Sequence, residues 1–213
     1  ALAMSIALAC PGHAFADATD AGSVTPITTV PGARLAIATF AGGCFWTMEH
    51  AFDKVPGVIS AISGYSGGHV PDPTYDEVST GTTGHVESVE VHYDPSRISY
   101  AKLMDIYWHD IDPTQVNGQA CDHGDEYRSM IFTHDATQMR QAQAYKATLE
   151  KSGAFGQPIA VQIVAAGPFY AAEDYHQKFT IKNPEYYERY RIGCGRDIRL
   201  QAIWGSTAYK PPG

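Results

Sequence analysis

Cysteine is scarce in this sequence, with four among 213 residues at positions 10, 44, 121 and 194 and no C-x-x-C pair. That spacing excludes a zinc ribbon, and the number is too small for a fold stapled together by disulfides. Long apolar runs are also missing: none approaches the ~18 residues a membrane-spanning helix needs. Positive charge is the third shortage, 15 Lys and Arg standing against 23 Asp and Glu for a formal net charge of -8. An extended nucleic-acid footprint needs the opposite balance, so nucleic acid is not an expected partner. No internal repeat is visible. What remains is a chain 44% hydrophobic, enough for one sizeable core with extra terminal segments.

Residues 1–16 read as an export signal: a short apolar run over 2–10, a break at Pro11-Gly12, then Ala14-Phe15-Ala16 in the small-x-small cleavage pattern, with Asp17 as the mature start. No positively charged segment precedes the run. Cys10 as a lipoprotein cysteine is the competing reading, weakened by Ala7 where leucine is usual. Residues 17–32, rich in Thr, Ala, Gly and Pro, read as a linker, and 33–213 as a single catalytic domain. The expected location is the bacterial periplasm or cell exterior, with the cytoplasm as the alternative, no stable membrane insertion after signal removal, and a monomeric protein.

Within the domain, periodicity predicts strands over 35–40, 58–64, 86–93, 129–133 and 159–165, and helices over 44–54, from Ser99 to about 109, and over 135–151. Residues 69–84 read as a long loop, a length that often carries function. The tail reads as an aromatic-rich wrap. The order β-α-β-β-α-β, with a further helix and strand, suits an α+β fold with a two-layer ferredoxin-like core.

The stretch Ala41-Gly42-Gly43-Cys44-Phe45-Trp46 joins a strand to a helix, placing Cys44 where unpaired N–H groups and the helix dipole favour a thiolate. Cys44 is therefore a candidate nucleophile; a buried spacer cysteine is the other reading. In the strand over 86–93, Glu87 shares a face with Val89, Val91 and Tyr93. Desolvation there would favour a protonated carboxyl, whereas a solvated strand end would not. Tyr75, Tyr127 and Asp122 complete a set able to remove oxygen from an S=O group. The thiolate attacks, an acid protonates the departing oxygen, and a sulfenic acid remains for a second cysteine to condense with. His123 and His176 keep open a Cys-dependent hydrolase or acyltransferase. Cys121-Asp122-His123 hints at a metal, but adjacent donors rarely reach one ion.

From about 35 to 179, with a weaker tail to about 205, the sequence resembles the A-type peptide methionine sulfoxide reductases. Six segments carry the resemblance: Gly43-Cys44-Phe45-Trp46, Gly64-Tyr65-Ser66-Gly67-Gly68, Pro73-Thr74-Tyr75-Asp76-Glu77-Val78, Thr83-Gly84-His85-Val86-Glu87, Asp122-His123-Gly124-Asp125-Glu126-Tyr127-Arg128-Ser129 and Ala172-Glu173-Asp174-Tyr175-His176-Gln177. The resemblance implies that Cys44 is the nucleophile, that Phe45 and Trp46 wall the pocket for the substrate methyl group, and that Glu87 is the acid. It implies that Tyr75 and Tyr127 hydrogen-bond the sulfoxide oxygen and that Asp122 positions the substrate. The implied substrates are the S epimer of methionine sulfoxide, free or in proteins. Recycling would fall to thioredoxin or a thioredoxin-like protein, with no metal and no organic cofactor. Two departures stand out: Thr47 replaces a frequent glycine, and the tail lacks the family's frequent two-cysteine, glycine-rich ending. Cys194, between Gly193 and Gly195, is the preferred resolving cysteine, and Cys121 is its rival.

Overall fold

The computed structural model describes residues 35–210. The export-signal and linker readings, and Cys10, lie outside them. The chain enters through strand β1 (Ala36–Ala41) and turns at Gly42-Gly43 into helix α1 (Phe45–Asp53). Strand β2 (Val58–Ser66), the short helix α2 (Tyr75–Val78), strand β3 (Val86–Tyr93) and helix α3 (Tyr100–His109) follow. The two-residue strands β4 (Gly118–Gln119) and β5 (Asp122–His123) pair with each other ahead of β6 (Met130–Thr133) and helix α4 (Ala136–Ser152). The chain ends through β7 (Gln162–Ala165), β8 (Phe169–Ala171) and helices α5 (Phe179–Lys182), α6 (Pro184–Gly193) and α7 (Arg196–Trp204).

Among the described residues, six strands form one mixed sheet in the order β7-β6-β1-β3-β2-β8. The four central strands are antiparallel neighbours, β7 joins β6 in parallel, and β8 joins β2 antiparallel. Helix α1 packs on β2 and β3, α3 on β1, and α4 on β6 and β7. Phe40 of β1 anchors this layer, stacking on Phe52 of α1 at 5.3 Å and on Tyr107 of α3 at 5.0 Å. The Tyr107 hydroxyl donates to the carbonyl of Ala41 at 2.9 Å and so fixes the last residue before the glycine turn. A smaller cluster, Ala41, Val86, Met130 and Phe132, packs as a separate apolar group. No helix among the described residues is long and apolar enough to cross a membrane.

Two expectations need correction. The long loop over 69–84 contains α2, whose N-cap Thr74 accepts from Glu77 N–H while the Glu77 carboxylate accepts from Thr74 N–H, a reciprocal capping box. The expected C-terminal wrap holds strand β8 and three helices. Helices α6 and α7 meet at Cys194-Gly195, where Gly195 takes a positive φ of 66° that favours glycine.

Candidate active site

The turn from β1 to α1 places Cys44 at the N-cap of α1, fully buried. Gly43 adopts φ 79°, and a Cβ there would lie 2.5 Å from the Gln119 side chain. The glycine thus admits the β4–β5 segment right against the cysteine turn. Glu87 comes from β3, next to Tyr65 of β2 in the sheet. Its Oε2 accepts the Phe45 backbone N–H at 2.8 Å, so the carboxyl sits at the first turn of α1. The strand-end alternative fails because β3 is a central strand, covered at its start on both faces.

Asp122 closes the site from β5. Burial pushes its carboxyl above the ordinary carboxylate range, against the opposing pull of a bond from the Tyr190 hydroxyl, the charges of Arg196 and His123, and the Cys44 backbone N–H. Tyr127 is buried in the single-turn helix Asp125–Tyr127 that follows. Tyr75 opens α2. Its backbone N–H donates to Glu173 Oε1 at 2.8 Å, and the other oxygen of Glu173 accepts from the Tyr65 hydroxyl at 2.8 Å.

Phe45 and Trp46, the first two residues of α1, build an aromatic wall with His176. The centroid of the His176 ring lies 4.8 Å from that of Phe45 and 4.5 Å from that of Tyr75, and its Nδ1 accepts the Trp46 indole N–H at 3.1 Å. Trp46 stacks on Phe179 with centroids 3.7 Å apart and meets Tyr186 and Tyr190 edge-on. Burial pushes His176 down to about 3, so the imidazole is neutral and, with Nδ1 as acceptor, carries its proton on Nε2. A nitrogen so engaged is no general base for a thiol. His123 is exposed, so neither histidine favours the hydrolase reading.

Cys194 and Cys121, treated as rivals on sequence, are bonded to each other across 73 residues. The Cys121 backbone N–H donates to Cys194 Sγ at 3.1 Å, and Cys121 Sγ lies 3.8 Å from Asp122 Oδ1. Cys121, Asp122 and Cys194 are close enough to share an ion, but the disulfide occupies both sulfurs, and His123 is not in the group. Arg196, just beyond, is buried and donates to the carbonyls of Gly42 at 3.1 Å and Asp110 at 2.7 Å, tying the tail to the turn that carries Cys44. The structure therefore gathers Cys44, Glu87, Asp122, Phe45, Trp46 and Tyr75 around one helix start, and the single-turn helix that carries Tyr127 packs on β3 and β4. Sequence reasoning overlooked Glu173, Tyr190 and Arg196. Tyr190 could have been found, because it precedes Cys194 by one helical turn and so shares its face.

A family model described as peptide methionine sulfoxide reductase matches residues 36–208. The peptide methionine sulfoxide reductase MsrA of Bacillus licheniformis is 51% identical over 169 residues, covering 79% of this chain and 93% of that protein. Among solved structures, the reduced form of Mxr1 from Saccharomyces cerevisiae aligns with TM-score 0.68 and 32% identity, covering 75% of this chain and 91% of that one. Methionine sulfoxide reductase A of Corynebacterium diphtheriae aligns with TM-score 0.64 and 37% identity, covering 73% and 77%. Mxr1 in complex with Trx2 aligns with TM-score 0.50 and 24% identity, covering 72% and 90%, which shows the fold alone.

Proposed function

This chain belongs to the peptide methionine sulfoxide reductase family and is a methionine-S-sulfoxide reductase, and from that premise we propose that Cys44 is its nucleophile and that the Cys121–Cys194 disulfide is the last intramolecular product of its cycle. The thiolate of Cys44 attacks the sulfoxide sulfur, Glu87 passes a proton to the oxygen, and methionine leaves with a sulfenic acid on Cys44. The hydroxyls of Tyr75 and Tyr127 hold the sulfoxide oxygen, Asp122 orients the substrate, and the Phe45–Trp46 wall takes the methyl group. The buried Nε2–H of His176 adds a donor on the same wall. Cys194 then attacks the sulfenic sulfur and expels water. Cys121 attacks Cys194 in turn, which releases Cys44 as a thiol and forms the Cys121–Cys194 bond. Cys194 acts first in this order because the Cys121 N–H aimed at its sulfur would stabilise a Cys194 thiolate. An external dithiol completes the balance: methionine sulfoxide and two thiols become methionine, water and a disulfide. A thioredoxin or thioredoxin-like protein is that dithiol, a reading that fits Mxr1, 32% identical to this chain in its reduced form and also solved in complex with Trx2. The antiparallel order β6-β1-β3-β2 supports reading the central strands as a ferredoxin-like core.

The observation that carries this reading is a disulfide that leaves the site thiol out. One equivalent of methionine-S-sulfoxide given to the reduced Cys121→Ser variant should trap a Cys44–Cys194 disulfide, mapped by peptide mass spectrometry. The Cys194→Ser variant should instead hold a Cys44 sulfenic acid that dimedone labels. A Cys44–Cys121 disulfide in that second variant would reverse the proposed order.

A further inference from the structure

Among the described residues, five large apolar side chains are well exposed: Val116, Tyr175, Ile181, Ile192 and Ile198. Three of them stand within five residues of a disulfide cysteine. Ile192 (68% exposed) lies two residues before Cys194, Ile198 (77%) four after it, and Val116 (70%) five before Cys121. Their positions are fixed by the local structure. Ile192 is the penultimate residue of α6 and Ile198 the third of α7, with the cysteine at the junction. Val116 sits on a turn closed by paired bonds between the Gln115 side chain and the backbone of Ala120, at 2.8 and 3.1 Å. A cavity of about 440 Å³ opens beside the disulfide, lined by Asp112, Thr114, Gln115, Ala120, Cys194 and Arg199.

We propose that Val116, Ile192 and Ile198 form the rim on which a protein dithiol with an apolar surface around its own active cysteines docks to reduce Cys121–Cys194. The proposal rests on the disulfide relay described above. The chemistry dictates the occupant. A partner thiolate attacks one sulfur of the pair, a mixed disulfide forms, and the partner's second thiol displaces it, so that the partner is oxidised and Cys121 and Cys194 gain two protons and two electrons. That sequence needs close, transient contact around two half-buried sulfurs, as in redox encounters burying less than about 1,200 Å². Two arginines beside the disulfide are paired, Arg199 with Asp112 at 2.7 Å and Arg191 with Asp197 at 2.6 Å. What the surface offers a partner is therefore apolar area, not a field of one sign.

The test compares two reductants on Val116→Glu, Ile192→Glu and Ile198→Glu. One is a bacterial thioredoxin kept reduced by NADPH and its reductase; the other is dithiothreitol. Each Glu variant should raise the KM for thioredoxin at least about tenfold, because a charge is driven into an apolar contact. Turnover with dithiothreitol should be unchanged, and Leu at the same positions should restore thioredoxin use. For the wild-type chain, the KM for thioredoxin should change less than about twofold between roughly 0.05 and 0.5 M salt. An unchanged KM in all three Glu variants overturns the proposal, as does equal loss with both reductants or a steep salt dependence. The relay itself fails separately, by full thioredoxin-supported turnover in both Cys121→Ser and Cys194→Ser.

Discussion

His176 illustrates how burial selects one protonation state for a single side chain. Its Nδ1 is taken by the Trp46 indole, and desolvation lowers its pKa from 6.5 to about 3. Between those two values the unfolded chain binds a proton that the folded one does not. Stability therefore rises with pH across that window, and the contribution is lost as pH falls from about 6.5 towards 3, by an amount on the order of a few kcal/mol. Asp122 has the opposite sign, since its raised pKa makes the folded state the tighter proton binder above the ordinary carboxylate range. Asp122 is common to the wild type and a His176→Asn variant, so its effect cancels in their difference. The Asn side chain keeps an acceptor for Trp46 and carries no titrating ring. Urea midpoints at pH 7, 5.5 and 4 should show a stability deficit for His176→Asn at neutral pH that shrinks steadily with acid. Parallel pH curves for the two proteins would mean that His176 titrates normally in the folded state.

At the scale of elements, Glu173 is the side chain that holds the oxygen-binding side of the site together. It follows β8, receives the Tyr65 hydroxyl from β2, and receives the first N–H of α2, a helix of four residues that could not hold its place by propensity. Glu173→Ala leaves the fully buried Tyr65 hydroxyl without its acceptor, a cost of about 1–3 kcal/mol. Calorimetry should show a melting temperature lower by roughly 2–12 °C, together with a reduced kcat. Adding Tyr65→Phe removes the orphaned hydroxyl, so the double variant should melt above Glu173→Ala alone. If the double variant is no better, the Tyr65–Glu173 bond contributes nothing and α2 is held by other contacts. The same elements show what a sequence can and cannot convey. The β1–α1 turn was legible because Gly-Gly-Cys is flanked by a short strand run and by Phe45, Met48 and Phe52 at helical spacing. Strand β3 was legible from strict alternation. Helix α2 is too short for any period, although Thr74-x-x-Glu77 was a readable capping box. Helices α6 and α7 escaped because α6 buries Tyr187 alone and α7 buries Arg196 and Leu200, so neither presents an apolar stripe. The pairing of Cys121 with Cys194 is a consequence of tertiary structure, and no local pattern announces it.

Across the whole molecule, the tail from α6 onward is fastened over the cysteine turn by bonds that run back to the central layers. Arg196 holds Gly42 and Asp110, the Trp204 indole donates to Ile111 at 2.8 Å, and the Tyr209 hydroxyl donates to Ala51 at 2.8 Å. The disulfide adds a covalent tie to this clasp, one that the proposed relay makes and breaks in each cycle. Because the tie spans 73 residues, closing that loop in the unfolded chain is worth on the order of 4 kcal/mol in the chain-entropy account. For a protein of this size the oxidised form should melt roughly 10 °C above the reduced one. The hydrogen bonds of the clasp involve neither sulfur, so reduction should lower the melting temperature without removing the tail from the site. The Cys121→Ser/Cys194→Ser variant then serves as a permanently uncrosslinked reference. It should melt with the dithiothreitol-reduced wild type, while oxidised Cys44→Ser should melt with the oxidised wild type. If the double-serine variant melted with the oxidised protein instead, the clasp alone would be holding the tail. The disulfide would then be free to turn over with no change in the stability of the fold, and the cycle would have no thermal signature to follow.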